Sequence, residues 1–154
     1  MATLGISTNT RLLGLAIINT DGLCMYKMHL HKSPWSPSKA NLIISSLEPC
    51  VRQYSIKRVV LSIPPKHHQT KGFVELLDAL KRYFMSVAIA VTEIPSSNLY
   101  QLCTEGQKTK AMIMKTLTRE FPQLTLFYDK EIRNKARYYI KLFEAVGVAF
   151  LSLN

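Results

Sequence analysis

Acidic side chains are scarce in this chain. Its 154 residues hold 10 Asp and Glu against 20 Lys and Arg, a formal charge of +10. Such an excess disfavours a cationic partner and points to a polyanion, nucleic acid ahead of an anionic membrane surface. Long apolar runs are also lacking. None reaches the roughly 18 residues that a membrane span needs, so no membrane partner is expected. The first residues show no basic region leading into an apolar core, so the expectation is a cytoplasmic protein without a secretory leader. Cys24, Cys50 and Cys103 lie far apart, which suits reduced thiols rather than a disulfide framework. Internal repeats and low-complexity segments are absent. What is present is the composition of a folded domain, 47% apolar and 19% charged. The length is enough for one domain over residues 1–154 and too short for two.

The pattern along the chain alternates strands and helices. Apolar runs at 3–6, 12–18 and 23–29 are separated by Ser7-Thr8-Asn9-Thr10 and by Asn19-Thr20-Asp21-Gly22. The Asp-Gly pair supplies the positive φ of a tight hairpin turn, so three antiparallel strands are expected. Leu42, Ile43, Leu47, Val51 and Tyr54 fall at helical spacing, predicting an amphipathic helix over 37–54. Residues 58–63 and 87–94 read as strands buried on both faces of a parallel sheet. Between them a helix over 72–85 is predicted, and a short helix to about residue 103 follows. A further helix is predicted over 107–120, a loop with a short strand over 122–129, and a final helix over 130–152. On that final helix Ile132, Ala136, Ile140, Phe143, Gly147 and Phe150 form the expected buried stripe. The order implies an α/β fold, a mixed five-stranded sheet of three antiparallel then two parallel strands, with helices on both faces.

Candidate nucleic-acid contacts are basic. The loop 66–72 carries Lys66 and Lys71. On the helix over 107–120, Lys108, Lys115 and Arg119 are spaced to share one face, with Lys110 off that stripe. Such cations track phosphates and bind with strong salt dependence. The pairs His29/His31 and His67/His68 have no Cys or carboxylate at ligand spacing, and exposed imidazoles near strand ends are the expected reading.

Leu4-Gly5-Ile6-Ser7 followed by Gly14-Leu15-Ala16-Ile17-Ile18 resembles the opening of the RuvC-type Holliday junction resolvases, members of the RNase H-like superfamily. Gly72 after its basic loop, the stretch from Glu93-Ile94-Pro95 through Thr104 to Ala111, and the tail Glu144-Ala145-Val146-Gly147-Val148-Ala149-Phe150 resemble later segments of the same family. The resemblance covers nearly the whole chain. It implies a nucleic-acid partner, DNA and branched DNA first, and a homodimer. It also implies a site where four carboxylates bind two Mg2+ ions for phosphodiester cleavage. Carried over position by position, those carboxylates fall on Ser7, Ser62, Lys141 and Glu144, and only Glu144 is acidic. Two divalent ions need several anionic oxygens between them. The expectation is therefore a resolvase-like protein that binds branched or structured nucleic acid without cleaving it, with no cofactor. Two other readings compete. One is an active junction endonuclease or ribosomal-RNA-processing nuclease, which would require Mg2+ or Mn2+. The other is a dimeric protein-interaction scaffold.

Overall fold

The computed structural model describes residues 2–134 and 137–153. Three antiparallel strands open the chain: β1 (Ala2–Thr8), β2 (Leu12–Asn19) and β3 (Gly22–Leu30). The β2–β3 hairpin turns where the sequence places it. Gly22 takes φ 113°, and the Asn19 side-chain oxygen accepts the Asp21 amide at 2.8 Å. Helix α1 (Pro37–Gln53) leads to β4 (Ile56–Ile63), α2 (Lys71–Ser86) and β5 (Ala90–Pro95). A 3-10 helix (Ser96–Leu102), α3 (Lys110–Glu120), α4 (Thr125–Arg133) and α5 (Ile140–Leu151) complete the order. The sheet runs β3-β2-β1-β4-β5, with β1 parallel to β4 and β4 parallel to β5. The expected mixed five-stranded sheet is what forms.

Strand alternation divides the core between two layers. Leu4 and Ile6 of β1, Leu13, Leu15 and Ile17 of β2, and Val59 and Leu61 of β4 pack with α1 and α2. Ala16, Ile18 and Val60 point the other way, into the layer of α3, α5 and the 3-10 helix. Gly5 also faces this second layer. A Cβ on Gly5 would lie 2.1 Å from the Ala145 carbonyl oxygen, and one on Gly14 would lie 2.2 Å from that of Lys141. Two missing side chains thus let α5 rest directly on β1 and β2.

Several expectations are corrected. The fifth strand starts at Ala90, because α2 continues to Ser86 and Ala88 turns the chain with φ 58°. It is not buried on both faces. It is an edge strand, and Ala90, Thr92 and Glu93 are exposed. In α1, Ile43, Leu47 and Val51 are buried, but Leu42 is 59% exposed. The third long helix begins at Lys110, so Lys108 precedes it.

Residues 122–129 are neither loop nor strand. A 3-10 turn (Pro122–Leu124) runs into α4, with Leu124 buried and Phe127 packed against the core at helical spacing. The helix expected over 130–152 is two helices. Helix α4 ends at Arg133, and α5 starts at Ile140. The buried Glu131 explains the second start. Its Oε1 accepts the backbone N–H groups of Tyr138 at 3.0 Å and Tyr139 at 3.1 Å, capping α5 from the preceding helix. Ile132, assigned to the buried stripe, is 54% exposed. Ala136, assigned to the same stripe, lies outside the described residues.

Candidate functional site: a cationic cleft at the strand ends

Ser7 lies on the α5 side of β1, two residues beyond Gly5 and paired across the sheet with Gly14. Because those glycines admit α5 so closely, its hydroxyl reaches the helix. Ser7 Oγ donates to Glu144 Oε1 at 3.1 Å. The same oxygen receives the Lys141 ammonium at 3.1 Å, an i,i+3 pair on α5. All three groups are largely withdrawn from water: Ser7 is 2% exposed and Glu144 is 9% exposed, while the Lys141 side chain is 18% exposed. Ser62 is buried on β4, one position past the Ile6–Leu61 pair of β1 and β4. It is thus the strand neighbour of Ser7, on the same face as Val60. Ser7, Lys141 and Glu144 are thus joined where β1 meets α5, with Ser62 on the neighbouring strand.

Above them opens a cleft of about 450 Å³. Its walls include the β1–β2 turn (Thr8, Asn9, Thr10, Arg11), the Pro64-Pro65 loop with His68, and the starts of α2, α3 and α5. The β1–β2 turn is tightly bonded. Asn9 Oδ1 accepts the amides of Arg11 at 2.8 Å and Leu12 at 2.7 Å, and Thr8 Oγ1 donates to the Leu12 carbonyl at 2.8 Å. Thr70 caps α2 by accepting the Phe73 amide at 3.1 Å, and Thr109 caps α3 through the Met112 amide at 3.1 Å. The N-termini of α2 and α3 thus open on the cleft with partial positive charge, while that of α5 is met by the Glu131 carboxylate.

Arg11, Lys110 and Lys141 line the cleft, and Glu144 is its sole carboxylate among the described residues. The balance is cationic. Lys66 and Lys71 are exposed on the adjoining loop and on the first turn of α2. The expected stripe of Lys108, Lys115 and Arg119 does not form as a unit. Lys108 sits before α3, while Lys115 and Arg119 are exposed but do not line the cleft. Lys110, set off that stripe in the sequence, is the one that does. Sequence reasoning missed Arg11, although its place one turn past Ser7 was a usable signal. Glu93, another acid near a strand end, pairs instead with Lys81 on α2. Among the described residues no three His, Cys, Asp or Glu side chains gather as metal ligands.

The donor set does not fit a pair of Mg2+ ions. Serine hydroxyls are neutral, and the one carboxylate already holds an ammonium. Beside the Lys141–Glu144 pair, repulsion from the ammonium offsets a divalent ion's attraction to the carboxylate, so the site offers such an ion little net Coulomb attraction. The same arrangement suits an anion. An ammonium carries three donors, and Glu144 occupies one of them.

A five-stranded mixed sheet layered by helices, with its polar residues at the ends of the first and fourth strands, is the RNase H-like fold. The solved structure of Thermus thermophilus RuvC in complex with a Holliday junction substrate shares that fold at a TM-score of 0.73. The match covers 97% of this chain and 90% of that one at 12% identity. A second Thermus thermophilus RuvC structure matches at a TM-score of 0.69 and 13% identity, over 97% of this chain and 91% of that one. No protein-family model matches the chain, and no curated protein sequence does. No helix among the described residues is long and apolar enough to cross a membrane.

Proposed function

We propose that this protein binds branched or structured nucleic acid, DNA first, and does not cleave it. One observation carries the reading. Of the positions that resemble the catalytic acids of a junction resolvase, Ser7, Lys141 and Glu144 are in contact, and their one carboxylate is neutralised by Lys141. The scaffold that presents a junction to a cutting site is kept while the charge needed for cutting is lost. The fold shared with a RuvC bound to Holliday junction substrate supports the choice of ligand. The net charge of +10 and the cleft cations Arg11, Lys110 and Lys141 support its sign.

The test is binding of a labelled four-way junction across a salt series, with Mg2+ and Mn2+ cleavage assays beside it. Three phosphate contacts give a slope of log affinity against log salt of about −2.7, and adding Lys66 and Lys71 makes it about −4.5. A flat salt dependence would contradict nucleic-acid binding. Strand cleavage that Glu144→Gln abolishes would instead establish an active endonuclease.

A further inference from the structure

We infer that Lys141 is a built-in cation that takes the place of divalent metal, so the cleft grips a phosphodiester directly and does so without any metal ion. The inference rests on the reading above and specifies how that site holds its ligand. Three observations carry it.

First, the Lys141 ammonium is fixed. It sits on the first turn of α5, with its Nζ 3.1 Å from Glu144 Oε1. Glu144 is steadied in turn by the Ser7 hydroxyl at 3.1 Å. Holding the ammonium this way removes much of the rotamer freedom that a surface lysine loses on binding. Second, the pair is neutral in sum, so Glu144 does not repel a phosphate as a lone carboxylate would. Third, Lys110 and Arg11 line the same cleft, at the start of α3 and in the β1–β2 turn. A phosphodiester oxygen entering above Ser7 meets the held Lys141 ammonium, with the exposed Lys110 and Arg11 beside it, where a metal-dependent enzyme would offer metal ions. Glu144, which would otherwise attract a divalent ion, serves here to place the ammonium.

Two measurements decide the matter. Mn2+ is titrated onto the protein alone, with bound metal read by electron paramagnetic resonance. The wild type is expected to show no saturable binding at millimolar Mn2+. The double variant Ser7→Asp with Lys141→Asp, which places three carboxylates around the position, is expected to gain it. Saturable Mn2+ binding by the wild type overturns the exclusion of metal, and none gained by the folded double variant overturns Lys141 and the missing carboxylates as its cause. Separately, labelled four-way junction is titrated in EDTA and in Mg2+ at matched ionic strength. Affinity is expected to agree within about twofold, and Lys141→Gln is expected to lose about tenfold or more in EDTA. Binding that EDTA abolishes and Mg2+ restores overturns the inference while leaving nucleic-acid binding intact. An unchanged Lys141→Gln affinity also overturns it, and this arm decides the matter if the double variant does not fold. Absence of binding in both buffers sinks the nucleic-acid reading itself, and the phosphate grip falls with it.

Discussion

Replacing Gly14 by Ala tests how closely α5 is held on the sheet. A Cβ there would stand 2.2 Å from the Lys141 carbonyl oxygen and 2.4 Å from its carbonyl carbon, where ordinary contact begins at 3.4 Å. These are backbone atoms in the first turn of a helix, so no rotamer change can relieve the clash. The helix must retreat by roughly 1 Å, which breaks the close packing of its layer. Overpacking of this kind costs about 1–3 kcal/mol, and a rigid backbone neighbour places it at the upper end. The reduced freedom of the unfolded chain returns about 0.4–1 kcal/mol. The net loss of about 2 kcal/mol corresponds to a Tm lowered by about 4–8 °C at this chain length. Urea and thermal unfolding measure it directly. Gly22→Ala is the comparison. Gly22 has φ 113° and nothing within 4 Å of a new Cβ, so its cost is backbone strain alone, about 1–2 kcal/mol. The clash also shifts Lys141 and Glu144, so Gly14→Ala should weaken junction binding whereas Gly22→Ala should not. A Gly14→Ala protein within about 0.5 kcal/mol of wild type, with full junction binding, would refute the close docking of α5.

Glu131→Ala removes the acceptor for the Tyr138 and Tyr139 amides and should cost about 1–2 kcal/mol in urea unfolding. Lys110→Ala should weaken junction binding and flatten its salt slope by about 0.9, while Lys115→Ala and Arg119→Ala, outside the cleft, should change affinity less than Lys110→Ala does. Burial holds the imidazoles of His29 and His31 below their ordinary value of 6.5, with Lys27 adding to the effect at His29 and His29 and Lys39 adding to it at His31. The unfolded chain therefore takes up protons first as pH falls. Stability is full above 6.5 and declines as pH drops from there toward the lowered folded values. Urea unfolding between about pH 5 and about pH 8 should show that decline, and the double variant His29→Asn with His31→Asn should lack most of it.

The sheet was legible because its signals are local. The Asp21-Gly22 turn and the apolar runs before and after it specify the hairpin, and the unbroken apolar run of β4 marks a central strand. Resemblance, not any local pattern, singles out Ser7, Ser62, Lys141 and Glu144, and the structure joins three of them, Ser7, Lys141 and Glu144, by a hydrogen bond and an ion pair. What failed depended on tertiary context. Ile132 and Ile140 keep a helical period in the sequence, yet α4 ends at Arg133 and α5 starts at Ile140. The break belongs to Glu131, whose bonds to Tyr138 and Tyr139 stabilise a fresh helix start that no periodicity reveals. Leu124-Thr125-Leu126-Phe127 favours strand by propensity, but burial of Leu124 and packing of Phe127 three residues later draw it into a turn and helix. The 87–94 run looked buried because apolar content alone does not distinguish an edge strand from a central one. The face of α3 was misassigned by a start three residues late, which moved Lys108 off the helix and left Lys110 at the cleft.

A crystal structure of the protein soaked in Mn2+ tests most directly whether this fold has exchanged metal for a lysine. The account predicts no manganese density between Ser7, Ser62 and Glu144, with the Lys141 ammonium still within hydrogen-bond distance of Glu144. Manganese bound by Glu144 with Lys141 swung out of the cleft would contradict it.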